Sequence, residues 1–247
     1  VIAFEASVQE LSVRIKRLYE AALYTSDGIK RSSPVFVYLD MESYEHLHIT
    51  VEAFKSALSD PQFLTLEAGI VLQAYLPDSF LVQEDLTQWA AERVSRGGAP
   101  IRFRLVKGAN LSMEIVQSSL SKWPSPIFRS KKQTDAHFKR MLLYAVQPAH
   151  IHVAHVAVAT HNVFDMAFAL LLKSEHELSH QLTFECLYGM HDSLVRALEL
   201  LDEPVRIYLP VVQSSSIQYS VAYLMRRFEE NTSNQNFMYR VFSMSIG

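Results

Sequence analysis

Six short runs along the chain are apolar at nearly every position and rich in β-branched and aromatic residues. They are PVFVYLD (34–40), GIVLQAYL (69–76), IRFRLVKG (101–108), HIHVAHVAVAT (150–160), LTFECLYG (182–189) and VRIYLPVV (205–212). Runs of this length and composition predict strands, and apolarity on both faces predicts strands covered on both sides. Between them lie stretches with apolar residues at helical spacing, over 43–58, 80–96 and 191–201, and residues 6–23 precede the first run in the same way. The run VFDMAFALLL (163–172) reads as a buried helix, being about half the length that a membrane span needs.

Strands alternating with helices predict a parallel α/β sheet. An open doubly wound sheet usually carries a glycine-rich phosphate loop after its first strand. The chain has only 7 glycines and no GxGxxG, which favours the barrel. The expected fold is therefore a distorted (βα)8 TIM-like barrel. Such a barrel needs eight strands. The missing first strand is expected upstream of Val1, with 6–23 as the helix that follows it. No linker or repeat divides the chain, so residues 1–247 read as a single barrel domain, a fragment of a longer polypeptide.

Composition narrows the class. The chain is 49% hydrophobic and 20% charged, the balance of a soluble globular protein, and its net charge of −3 makes nucleic acid an unsuitable partner. Cys186 is the one cysteine, which rules out an intrachain disulfide framework and suits a reducing compartment. No signal peptide is visible, and the localisation expected is cytoplasmic.

In a parallel barrel the chemistry lies at the C-terminal ends of the strands, and here those ends are polar: Asp40, Gln73, Arg104, Lys107 followed by Gly108, the ATHN run ending in Thr160, His161 and Asn162, Leu187 with Tyr188, and Tyr208. Singly, each has an ordinary explanation. Asp40 suits a helix cap, Gln73 a bond to a neighbouring strand, His161 a satisfied near-surface position and Tyr208 the core. Together they predict a polar rim that a ligand completes. No Ser-His-Asp order and no HExxH occurs. His152 and His155, read as lying in one strand, are three apart and so face opposite ways, which argues against a joint metal site. Arg104, Lys107 and Lys131 suit a phosphate-bearing cofactor that brings the chemistry with it. In VAYLMRRFEEN (221–231), Arg226 and Arg227 are adjacent and point about 100° apart on a helix. They suit either a solvated face or a site wrapping one anion from two sides.

The segments VYLDMESY, VLQAYL, RLVKGAN, ATHN, FECLYGM, IYLPV and YLMRRFEEN occur in the order found in proline dehydrogenases of the bifunctional bacterial PutA type, and PIFRSKKQTDAHFKRML (126–142) is similar as well, with Lys131 and Asp135 in register. The resemblance covers nearly the whole chain. It implies a distorted barrel holding non-covalent FAD, which oxidises L-proline to Δ1-pyrroline-5-carboxylate by hydride transfer to flavin N5. It implies that Arg226 and Arg227 pair with the proline carboxylate, and that Tyr208, Leu187 and Tyr223 pack the substrate ring. Asp40 then lies near the substrate and Arg104 near flavin N5. Gln73, Lys107, Gly108, Ala109, Lys131, Thr160, His161 and Asn162 line the flavin, and Glu230 lies near its adenosine end or pairs with an arginine of the last helix. The partners implied are L-proline, a quinone or other electron acceptor, peripheral contact with the inner face of the membrane, and a C-terminal aldehyde dehydrogenase domain in the parent chain.

Some positions depart from the pattern. Many relatives continue VKGA with two aromatics and an acid, where this chain has Asn110 and Leu111; after Leu209-Pro210 a frequent glycine is Val212 here. The family's substrate-binding lysine belongs to the first strand, which is expected outside the sequence, so the excerpt alone is expected to be weakly active or inactive. Two other readings use the same residues: a flavin-free barrel lyase or aldolase with Lys107 as a Schiff-base lysine, and a non-catalytic scaffold whose arginines are solvated.

Overall fold

A computed structural model describes residues 3–232. Its strands are β1 (Tyr38–Leu39), β2 (Gly69–Gln73), β3 (Ile101–Val106), β4 (Ala154–Ala159), β5 (Leu182–Leu187) and β6 (Val205–Tyr208). All pair in parallel and stand in the sheet in chain order. A doubly wound sheet would reverse that order at a switch point. Here every strand adds beside the one before, and the sheet curls as a barrel wall. The curl is visible in side chains that span it: the Tyr38 hydroxyl of β1 donates to Glu185 of β5 at 2.9 Å.

Helices precede and separate the strands: α1 (Phe4–Leu23), α2 (Leu47–Leu58), α3 (Ser79–Ser95), α4 (Leu111–Ser121), α5 (Lys131–Ala145), α6 (Pro148–Ile151), α7 (Val163–Glu175) and α8 (Asp192–Leu200), with α9 (Ile217–Thr232) after the last. The core lies between them and one face of the sheet. On that face Ile70, Phe103 and Val156 align in register, as do Leu72, Leu105, Val158 and Phe184. All seven are buried, with Phe54, Phe63 and Phe138 packed from the helices. Burying one such side chain stabilises the fold by roughly 1.5–3 kcal/mol.

The sequence pattern and the structure differ in places. The first run predicted a seven-residue strand, but only Tyr38 and Leu39 belong to the sheet. β1 stands at the edge of the described sheet, and its lead-in is held elsewhere: Val35 N–H donates to the Ala22 carbonyl at the end of α1. His152 lies in the turn after α6 and outside β4, so the opposite-faces argument does not apply to it; His155 alone is in the strand. α7 is buried on one side only, for Leu171 is exposed. α4 is turned about: Glu114 and Ser118 face inward, while Leu111, Met113, Ile115, Val116 and Leu120 are exposed. Among the described residues no helix is long and apolar enough to cross a membrane.

Candidate active site

Period-two alternation puts Arg102 and Arg104, Thr183, Glu185 and Leu187, and Arg206 and Tyr208 on the face opposite the core, the concave face of the curl. Small residues on the strands between, Gly69, Ala157 and Ala159, leave room for the large ones. At Gly69 the requirement is strict, since an added Cβ would come within 2.2 Å of the Tyr38 ring.

The concave face carries two polar layers. The lower one, toward the strand starts, centres on buried Arg102. Its Nε donates to Glu67 at 3.1 Å, and its Nη1 to the Thr183 hydroxyl at 3.0 Å and the His180 carbonyl at 3.2 Å. His155 lies 3.2 Å from the same Glu67 oxygen. Burial opposes the Glu67 charge, but His155 and Arg102 outweigh it and hold the carboxyl below its ordinary range.

The upper layer, toward the rim, centres on Arg104. Its guanidinium lies 4.2 Å from the Tyr38 ring centroid and 4.8 Å from that of Tyr208. Its Nε donates to Glu185 Oε2 at 2.6 Å. Glu185 is fully buried, and its other oxygen accepts from Tyr38 Oη and Arg206 Nη1, both at 2.9 Å. Burial works against the Arg104 charge, and the Glu185 carboxylate more than offsets this, so the guanidinium stays charged. Sequence reasoning placed Arg104 and Tyr208 here but missed Glu185, Tyr38 and Arg206. A signal existed: Glu185 and Arg206 stand two residues before Leu187 and Tyr208 and so share their face.

Around the rim, Lys107 Nζ lies 2.5 Å from both Asp135 and Asp165, and Lys131 Nζ lies 2.6 Å from Asp135. Burial pushes the Asp135 carboxyl up, but the two lysines prevail and keep it below the ordinary aspartate value. Gly108 follows with φ +114°, and a Cβ there would strike the Tyr75 ring at 2.2 Å, so only glycine closes this turn. Ala109 continues it, half-buried. Thr160 is buried and its hydroxyl accepts from Asn162 N–H, while the Asn162 side chain caps α7 through Phe164 N–H and Asp165 N–H. His161 Nε2 accepts from Leu187 N–H at 3.2 Å, tying β4 to the end of β5.

Several ordinary explanations for single residues fail. Asp40 caps no helix; it is exposed and accepts from Met41 N–H, because the chain makes further turns before α2 begins. Gln73 donates to the Met41 and Glu42 carbonyls in the loop after β1 and to no neighbouring strand. Tyr208 is half-buried against Arg104 and outside the core. Leu187 is buried at the rim, and Tyr223 is half-buried on α9. Arg226, Arg227 and Glu230 also belong to α9, but their side chains lie outside the described residues. No cluster of metal-ligating side chains occurs among the described residues.

A parallel barrel wall whose strand ends gather charged side chains and tyrosines around one concave rim is the arrangement of a barrel enzyme, whose chemistry lies at that end of the strands. The family is fixed by comparison: the model of the proline dehydrogenase family matches residues 2–240, and the chain belongs to that family. The bifunctional protein PutA of Escherichia coli K12 is 27% identical over 98% of this chain. The proline dehydrogenase of Deinococcus radiodurans is 26% identical over 82% of this chain and 56% of its own length. Among solved structures, proline utilization A from Corynebacterium freiburgense is 41% identical over 96% of this chain, with a TM-score of 0.85. The same protein from Bdellovibrio bacteriovorus, inactivated by N-propargylglycine, is 31% identical over 98% of this chain, with a TM-score of 0.87. The chain spans 18% of the length of the Escherichia coli relative and 24% of each of these two solved chains.

Proposed function

We propose that this chain is the FAD-dependent proline-oxidising barrel of a bifunctional polypeptide. It converts L-proline to Δ1-pyrroline-5-carboxylate, which the aldehyde dehydrogenase module of the parent chain carries on to glutamate. The observation that carries this reading is the upper layer. Arg104 spends only Nε on the described residues, so its terminal nitrogens keep their donors for a ligand. The residues suit a flavin: a charged guanidinium packed against two tyrosine rings, two rim lysines whose ammonium groups Asp135 and Asp165 hold in place, and a turn at Gly108 that admits no side chain. FAD, when bound, supplies the hydride acceptor at N5.

Within this reading Arg104 would present its terminal donors to the flavin and would need no reorganisation to do so, because its partners already hold it. Arg226 and Arg227 grip the substrate carboxylate from two sides, and Tyr208, Leu187 and Tyr223 enclose the ring, keep water out and hold the reacting carbon in place. Lys107, Lys131 and His161 line the cofactor beside Gln73, Ala109, Thr160 and Asn162. Asp40 stands by the substrate and Glu230 by the adenosine end. The electron acceptor is of the quinone class, reached by contact at a membrane surface. The lyase reading is the weaker one, since two carboxylates hold the Lys107 ammonium, whereas a Schiff-base lysine needs an unprotonated amine.

The test uses the full-length protein. It is expected to purify with a flavin spectrum that L-proline bleaches without oxygen, and Arg226→Met or Arg227→Met is expected to raise KM for proline at least tenfold with flavin content unchanged. A colourless protein, or unaltered proline kinetics in both variants, would refute the reading.

A further inference from the structure

Resting on that reading, we infer that Glu185 is the positioning residue of the reaction: it touches neither substrate nor cofactor and acts by fixing the Arg104 guanidinium. Both of its oxygens are committed, one to Arg104 Nε and the other to Tyr38 Oη and Arg206 Nη1. With no exposed surface, the carboxylate cannot swing away without leaving two arginines and a tyrosine unmatched.

The geometry of Arg104 follows from this anchor. A guanidinium is planar, and a bond at Nε together with two rings packed against it restricts that plane and its rotation within the plane. Tyr38 provides one ring and Tyr208 the other. Tyr38 is itself held by its bond to Glu185, so the carboxylate sets two of the three constraints. Together these contacts limit where the terminal nitrogens can point. Strand register is what makes this possible: Ala159 on β4 pairs with Glu185 and Ala157 with Arg104, and these small side chains leave the space through which the two meet.

An isostere separates positioning from plain stability. Glu185→Gln in the full-length holoenzyme keeps size and shape but loses the ion pair. It is expected to retain flavin and to slow flavin reduction at saturating proline by about tenfold to a hundredfold, the scale on which misplacement of a reacting partner costs rate, with KM for proline within about twofold. In an Arg104→Met background the same change is expected to cost less than about twofold, because the group that Glu185 orients is gone. The reduction potential of the bound flavin gives a second readout. The loss of a negative charge raises it in both backgrounds, but in the Arg104 protein the loss of an oriented donor opposes that rise, so the increase is expected to be smaller there than in the Met background. Should Glu185→Gln fail to retain flavin, Glu185→Asp, with its shortened arm, is put through the same cycle. Equal losses of rate in both backgrounds, or an equal rise of the potential in both, would overturn the inference while the proline dehydrogenase reading stood. A wild-type protein without flavin would sink both together.

Discussion

His137 illustrates how one buried side chain couples this fold to pH. It sits on α5, nearly without exposure, and its Nδ1–H donates to the Ala74 carbonyl at 2.8 Å. Burial is the main force holding its pKa below 6.5, with Arg140 acting in the same direction and the Ala74 carbonyl opposing both. The sign follows from proton counting. In the unfolded chain the imidazole takes up a proton as pH falls through about 6.5, while the folded protein still excludes it, so the unfolded state binds more protons. Stability is therefore expected to fall as pH drops from 6.5 toward the lower folded value, visible as a lower Tm. His137→Gln is expected to remove part of that dependence, and an identical Tm-against-pH slope in the variant would contradict the account. Cys186 responds to burial in the opposite sense: the loss of hydration, with help from Glu185, pushes its thiol up to about 11.

At the scale of an element, the end of α3 is organised by a cation. Arg93 is 1% exposed and has no carboxylate partner among the described residues; its guanidinium donates to the carbonyls of Leu58, Phe63, Leu64, Leu66 and Ala99 at 2.6–3.0 Å. These carbonyls come from the end of α2, the segment leading into β2 and the segment leading into β3, so a single side chain ties three connections together. Burial lowers its pKa to about 10, and the charge persists at neutral pH because five carbonyl dipoles converge on it. Arg93→Met is expected to destabilise by more than about 3 kcal/mol, since several buried acceptors lose their donor at once. Denaturant unfolding measures this, and a loss under about 1 kcal/mol would show that the carbonyls find other partners.

On the scale of the whole molecule, the concave face divides its work between two polar layers. Residues toward the starts of barrel strands generally serve stability, and those at the C-terminal ends serve chemistry. Here Arg102, Glu67 and His155 form the lower layer and Arg104, Glu185 and Tyr208 the upper. Glu67→Gln is accordingly expected to lower stability by about 1–3 kcal/mol, the cost of leaving Arg102 and His155 short of an acceptor. It is expected to leave flavin content and KM for proline unchanged. Calorimetry beside proline kinetics would check this, and a KM change without a fall in Tm would invert the assignment of the layers.

Alternating apolar runs and helical spacing were enough to read six strands, a parallel sheet and a barrel-type order, because burial on both faces of a strand leaves a local composition that needs no partner to be recognised. The rim residues Arg104, Lys107 and Tyr208 were legible as polar groups set into apolar runs. Tertiary structure alone decided which of them meet. β1 shrank to two residues because its lead-in found a partner on α1. Asp40, which resembled a helix cap, bonds its neighbour Met41. Glu185 gained its place only when the sheet curled, since Arg104 lies 81 residues before it and Tyr38 lies 147 before it. Periodicity fixes the face on which a side chain stands, whereas the curl of the sheet brings distant strands within hydrogen-bonding reach, and no local pattern carries that information.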